Sequence, residues 1–305
     1  MIEIAFLGTS ASAPSVDRGL SSAMVMFRAE RFLVDCGEGT QRQILRSGLG
    51  FKRLDKILLT HGHLDHILGL GGLVSTFARW ESASNLSIYG GSWALERVRD
   101  LMKVVLRGDE PAIRLEYKEI EPGLLWSDEW LTVKAFPVHH RGPGCYGFVF
   151  EEQSRRPFLA DIADALGVPA GPERKKLVAG QSVTLPSGMV IEPDHVLGEP
   201  VQGTKLVFVG DAGRVKDLVP YAQDADALVI ESTYVERDAN LAARFGHITA
   251  AQAATLAREA GVRQLFLVHI SRRYSDREIL REASAVFPDV VVPRDLEVYK
   301  ISRKD

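Results

Sequence analysis

Six consecutive residues, His61-Gly62-His63-Leu64-Asp65-His66, limit what this chain can fold into more than any other stretch of it. They follow an apolar run, Lys56-Ile57-Leu58-Leu59-Thr60, that reads as a buried strand. Three imidazoles and a carboxylate in six positions form a donor set that suits zinc and admits other divalent ions. Residues two apart on an extended segment face the same way, so His61 and His63 can hold one ion where the strand ends. The chain then turns, and the adjacent Asp65 and His66 can point toward a second. Only eight histidines occur in the chain and three of them lie here, which argues against a chance polar loop.

The fold must supply further donors from elsewhere, and the sequence offers them with a regular grammar. Residues 131–138 lead into His139-His140. Residues 205–209 lead through Gly210 into Asp211, residues 225–230 into Glu231, and residues 265–268 into His269. In layered strand-helix folds, sites gather at one end of the strands, so these residues can converge although distant in sequence. Strands are expected at 2–7, 23–28 and 31–35, the last ending at Asp35. Thr40 and Gln43 predict a capping box opening a helix that Gly48 stops. A second helix is expected over 66–79, and a third from an N-cap at Ser92 through Leu106, with Leu95, Val98, Leu101, Met102 and Val105 on its buried face. Residues 151–200 break the rhythm with prolines, glycines and two basic groups, Arg155-Arg156 and Arg174-Lys175-Lys176, and read as an insertion in a single domain of 305 residues.

Bulk properties exclude several classes of protein. A net charge of −3 gives no global attraction to polyanions, so a nucleic-acid partner needs a local basic patch. Two cysteines, Cys36 and Cys145, are too few for a disulfide framework or a thiolate zinc site. The opening residues read as a first strand and not a leader, and no apolar run is long enough to span a bilayer, so a cytoplasmic protein is expected.

The histidine cluster with the later His, Asp and His resembles the metallo-β-lactamase superfamily. More narrowly, the chain looks like the ribonuclease Z family, endonucleases that mature tRNA 3′ ends. The pieces carrying the likeness are Phe6-Leu7-Gly8-Thr9, Val34-Asp35-Cys36-Gly37-Glu38-Gly39-Thr40-Gln41, the cluster, Gly210-Asp211, Glu231-Ser232-Thr233 with Gly246-His247-Ile248-Thr249, and His269-Ile270-Ser271-Arg272-Arg273-Tyr274. The resemblance implies an α/β fold, the four-layer αβ/βα sandwich of that superfamily, with a projecting arm at 151–200 that grips tRNA. It implies two zinc ions per subunit, with Mn2+ or another divalent ion as a substitute. His61, His63 and His140 would bind one ion, Asp65, His66 and His269 the other, and Asp211 both. His139 is then a neighbour, and His195 a surface residue.

The implied reaction is removal of the 3′ trailer from precursor tRNA by metal-activated hydroxide, leaving a tRNA 3′-hydroxyl. Asp65 can also take a proton from the water. His247, ahead of a helix opened by a Thr249/Gln252 capping box, is the candidate proton donor to the leaving oxygen, with Glu231 orienting it and Asp35 organising the turn beneath the metals. Ser271 and Arg273 are expected at phosphate oxygens. Arg18, in the loop Pro14-Ser15-Val16-Asp17-Arg18-Gly19, is expected near the acceptor end, and Gly171, Pro172, Arg174, Lys175 and Lys176 belong to the arm. Residues 151–200 carry five Lys/Arg against eight Asp/Glu, so tRNA binding would rest on a few clustered side chains and a second subunit of a homodimer. The competing expectations are a superfamily hydrolase of a small phosphodiester, thioester or lactone, and a non-catalytic RNA-binding module. The second is disfavoured because burying so many carboxylates and imidazoles without metal is costly.

Overall fold

The computed structural model describes residues 1–80, 85–106 and 113–303. The chain divides into two compact units, Met1–Glu151 with Thr204–Asp305, and Glu152–Gly203.

The larger unit is built on two seven-stranded mixed sheets. In spatial order the first runs Val298–Ile301, Ile2–Gly8, Ser22–Phe27, Glu30–Val34, Lys56–Leu58, Asn85–Gly90 and Arg114–Glu119. The second runs Val290–Val291, Leu265–Val268, Ala227–Glu231, Lys205–Phe208, Tyr146–Glu152, Leu131–Pro137 and Gly123–Ser127. The strands that matter most are buried on both faces, which is why they read as continuous apolar runs. In the first strand Ile2, Ile4 and Phe6 face the other sheet, packing in one core with Phe148, Phe150, Val229 and Phe266. Its alternate residues Ala5 and Leu7 share a second core with helix residues Ile44, Leu73, Phe77 and Val98. The outer face of the second sheet buries Leu228, Ile230 and Leu267 against Ala253, Leu256 and Ile279. Two sheets back to back, each covered by helices, make the four-layer sandwich that the sequence implies.

Three local expectations fail, each for a tertiary reason. The helix Thr40–Arg46 has Gly39 (φ 85°) at its N-cap and no side-chain cap. Thr40 Oγ1 instead donates to Gly37 O at 2.7 Å, and Gln43 Nε2 donates to Leu7 O and Asp295 Oδ2, both at 2.9 Å. The helix expected over 66–79 is two, Leu64–Ile67 and Leu70–Trp80. They part at Gly69, whose N–H donates to Cys36 O at 2.9 Å and where a Cβ would lie 2.0 Å from Gly37 O. Ser92 is the first residue of its helix, Ser92–Val105, and Gly91 is the cap, because a Cβ there would meet Gly144 O at 2.4 Å. The capping box between Thr249 and Gln252 does form, opening the helix Ala250–Glu259.

The smaller unit has its own core of Ala163, Val168, Leu177, Val183, Ile191 and Val196. Helices Ala160–Ala165, Pro172–Val178 and Pro193–Val196 and the hairpin Val183–Thr184/Val190–Ile191 supply it. Among the described residues, no helix is long and apolar enough to cross a membrane.

Candidate metal centre

The ends of several strands meet at one place. His61 and His63 follow Lys56–Leu58, and Asp65 and His66 open the short helix Leu64–Ile67. His140 follows Leu131–Pro137, Asp211 follows Lys205–Phe208, and His269 (φ 56°) follows Leu265–Val268. Donor atoms of His61, His63, His140 and Asp211 lie within 4.8 Å of one another, as do those of Asp65, His66 and His269. Asp211 touches both sets. Its Oδ2 is 3.8 Å from His61 Nε2, 3.7 Å from His140 Nε2 and 3.4 Å from His269 Nε2, and its Oδ1 is 3.5 Å from His66 Nε2. His63 Nδ1 lies 2.8 Å from His61 Nε2 and 3.3 Å from His140 Nε2, and Asp65 Oδ2 lies 3.3 Å from His269 Nε2.

These side chains fit divalent metal on two grounds. Donors held tetrahedrally at the usual zinc distance stand roughly 3.3 Å apart, and the spacings above straddle that value. Moreover, His66 Nε2 and Asp211 Oδ1 are buried and lack a hydrogen-bond partner, although buried polar atoms nearly always have one. The opposite edges of the rings are anchored, as metal-binding histidines require. His66 Nδ1 meets Asp35 Oδ2 at 2.7 Å, His61 Nδ1 meets Thr60 Oγ1 at 3.0 Å, His140 Nδ1 meets Gly246 O at 2.6 Å, and His269 Nδ1 meets Thr233 Oγ1 at 2.8 Å. Asp35, buried and at φ 57°, also accepts from Thr60 N and Thr60 Oγ1, both at 2.8 Å.

The electrostatics divide the histidines. Burial, then the neighbouring imidazoles, pushes His61 well below its ordinary value and His63 down to about 4; burial also lowers His140. All three are held neutral, the state that ligates. Burial opposes charge on His66, but Asp211 and Asp35 hold it well above its ordinary value. Burial likewise opposes charge on Asp211, yet His269 and His66 keep it well below the carboxylate range. Asp65 is lowered too, against burial, chiefly by its hydrogen bond with His269.

His247 lies beside these donors. Its Nδ1 is 2.9 and 3.1 Å from the two oxygens of the fully buried Glu231, and 3.8 Å from Asp211 Oδ2. Burial disfavours its charge, but Glu231 lifts it to about 9. Glu231 is itself held by Ala212 N at 2.7 Å and by the Thr233 hydroxyl.

One cavity opens on the donors, and a larger one lies beside the turn that follows His269. The first, of about 350 Å³, is lined by Ser12, His63, Leu64, Asp65, Arg97, Arg141, Asp211, Phe245 and His247. The other, of about 570 Å³, is lined by Arg18, Ser271 and Arg272 among others. Arg273 is exposed and does not line it; Arg272 does. Arg18 is already committed, donating to Thr9 Oγ1 and to Pro293 O (2.8 Å) and pairing with Asp276 at 2.8 Å. In the smaller unit Arg174 pairs with Asp164 and donates to Val168 O, whereas Gly171, Pro172, Lys175 and Lys176 are exposed. His139 is exposed, and His195 caps Pro193–Val196 at the surface. Sequence reasoning passed over Arg97, Arg141, Phe245 and Ser12, whose N–H donates to Asp65 Oδ2 at 2.9 Å. Only the position of Arg141 directly after His140 hinted at any of them.

A two-sheet sandwich carrying paired His/Asp donors at its strand ends is the architecture of the metallo-β-lactamase superfamily of metal-dependent hydrolases. The family model for that superfamily matches residues 16–160, and that of the beta-lactamase superfamily domain matches 168–270. Ribonuclease Z of Bradyrhizobium diazoefficiens is 44% identical over 297 residues, covering 97% of this chain and 99% of that one. Ribonuclease Z of Listeria monocytogenes is 38% identical, covering 98% and 99%. The crystal structure of human tRNase Z, short form, superposes with a TM-score of 0.70 at 27% identity, covering 98% of this chain and 99% of that one. The chain belongs to the ribonuclease Z family, and is thus a nuclease using divalent metal.

Proposed function

We propose that this chain removes the 3′ trailer from precursor tRNA, working as a cytoplasmic homodimer with two zinc ions per subunit. The observation that carries the reading is a carboxylate, Asp211, that belongs to the His61/His63/His140 set and lies 3.4–3.5 Å from His269 and His66 of the other, with His247 alongside. The tRNA substrate follows from full-length identity to enzymes named ribonuclease Z.

In this reading His61, His63 and His140 would hold one ion, Asp65, His66 and His269 the other, and Asp211 would contribute to both. Bound there, divalent metal would supply Lewis-acid polarisation of the phosphate and a lowered pKa for the attacking water. The protein does the rest. Asp65, fixed by Ser12 N–H and His269, is aimed to accept a proton from the attacking water. Glu231 occupies His247 Nδ1, leaving Nε2 to deliver a proton to the departing 3′-oxygen, which is a poor leaving group as an alkoxide. Asp35 and Thr233 fix the ring orientations of His66 and His269. Ser271 and Arg272, with Arg273 on the same turn, offer donors to phosphates that leave with the trailer. The unit Glu152–Gly203 serves as the arm for the tRNA body, using Lys175 and Lys176.

The test is incubation of purified protein with a trailer-bearing precursor tRNA beside bis(p-nitrophenyl) phosphate, with and without chelator. One cut leaving a tRNA 3′-hydroxyl, abolished by chelation and restored by zinc, is expected. Cleavage of the small ester alone would overturn the substrate, and binding without cleavage of either would overturn the enzymatic reading.

A further inference from the structure

Of the residues lining the 350 Å³ cavity, the proposed chemistry leaves Leu64, Arg97, Arg141 and Phe245 unused. Arg97 donates to Gly62 O at 2.9 Å, whereas Arg141 and Phe245 are both tied to the turn that carries the proton donor. Phe245 ends the helix Ala239–Phe245, which Gly246 closes at φ 70°. The turn then sends His247 N back to Ala242 O at 2.9 Å and presents Gly246 O to His140 Nδ1 at 2.6 Å. The Phe245 ring stays 38% exposed while lining the cavity, a place where a large apolar side chain gains little from folding. The stem of Arg141 lies across the same turn. A Cβ on Gly246 would come within 2.7 Å of Arg141 Cγ and 3.2 Å of its Cδ, so only glycine leaves room. Among the described residues no carboxylate pairs with the Arg141 guanidinium, whereas Arg18, Arg156, Arg174 and Arg237 are each paired.

We propose that Arg141 and Phe245 form the subsite for the nucleotide on the 5′ side of the cut, the one that keeps the 3′-hydroxyl. This rests on the trailer-removal reading. The oxygen that His247 protonates belongs to that nucleotide, so its ribose must stand against His247. Its base and its own 5′ phosphate then enter the cavity that His247 lines. The Phe245 ring supplies a face on which any base stacks, and the guanidinium supplies two parallel donors matched to a phosphate. Both are specificity-determining contacts: they engage the RNA beside the reacting bond and take no part in bond breaking.

The decisive measurement is binding of the tRNA product of the cut, ending at the nucleotide that keeps the 3′-hydroxyl, to the metal-loaded enzyme across a salt series, beside the same tRNA shortened by that one nucleotide. Losing one phosphate contact lowers the slope of log affinity against log salt by about 0.7–0.9, so Arg141→Gln should show that drop on the full tRNA and Arg141→Lys should restore most of the slope. Phe245→Ala should weaken binding of the full tRNA roughly tenfold, and Phe245→Trp should bind as the wild type does. On the shortened tRNA all four variants should match the wild type. With precursor tRNA, KM should rise in the Gln and Ala variants by more than kcat falls. Equal losses on full and shortened tRNA, or an unchanged salt slope in Arg141→Gln, would overturn the subsite. If the wild type fails to cut the precursor, trailer removal itself is wrong; if it cuts while the variants bind both tRNAs normally, only the subsite is.

Discussion

Asp35 tests the logic of the centre better than any ligand, because replacing it leaves every proposed donor in place. Its carboxylate accepts three hydrogen bonds at 2.7–2.8 Å, from Thr60 N, Thr60 Oγ1 and His66 Nδ1, and it is 2% exposed. In Asp35→Asn one oxygen becomes an NH2. If the amide nitrogen faces His66, Nδ1 must turn acceptor, and the ring's proton moves to Nε2, the atom needed for metal. If it faces Thr60 N–H instead, two buried donors confront each other. Either arrangement costs about 1–3 kcal/mol, the usual penalty for a buried polar group without its partner. Loss of an outer partner to a metal-bound histidine lowers metal affinity by about 10–100-fold. If two ions bind as proposed, the expected result is a folded protein, with a denaturation midpoint lowered to match about 1–3 kcal/mol, that gives up one ion to a chromophoric chelator while the other is held normally. Wild-type affinity for both ions in Asp35→Asn would refute the claim that Asp35 sets the His66 tautomer.

His247→Ala should lower kcat on precursor tRNA by about 10²–10⁴-fold with a smaller change in KM; single-turnover kinetics measures it, and an unchanged kcat would remove His247 from proton transfer. Replacing Lys175 and Lys176 together by Ala should reduce the salt slope of tRNA binding by up to about 1.8, with far less effect on hydrolysis of a small phosphodiester. Arg174 is left out of that pair because it is committed to Asp164 and Val168 O. Gly69→Ala should destabilise by about 3 kcal/mol or more, since its Cβ would collide with a backbone oxygen at 2.0 Å, beyond ordinary overpacking; guanidinium denaturation reads this directly.

The candidate cluster could be picked out because His61, His140, Asp211 and His269 each stand just past an apolar run, and those strand ends fall together. Spacing also separated His61 and His63 from Asp65 and His66, since an extended segment and a helical first turn aim their side chains differently. What stayed hidden depends on partners far along the chain. Thr40 and Gln43 have the spacing of a capping box, but Gln43 finds Leu7 O and Asp295 Oδ2, and no local rule includes them. The break at Gly69 arises from the close passage of Gly37, another long-range fact. On the turn after His269, three consecutive polar residues have no periodicity to say which faces inward, and Arg272 rather than Arg273 reaches the cavity. Phe245 drew no reading at all; its place in the mouth of the centre follows from the closing glycine, Gly246, and not from any pattern of its own.

The strand Ile2–Gly8 is flanked on one side by Val298–Ile301, with Ile2 opposite Ile301. During synthesis at 5–20 residues per second, roughly 15–60 s separate the two partners. Throughout that interval the nascent sheet presents an unsatisfied margin of backbone donors and acceptors, an invitation to mispairing between neighbouring chains on a polysome. Closing that margin therefore waits until Val298–Ile301 have emerged, long after the strand they cover was made.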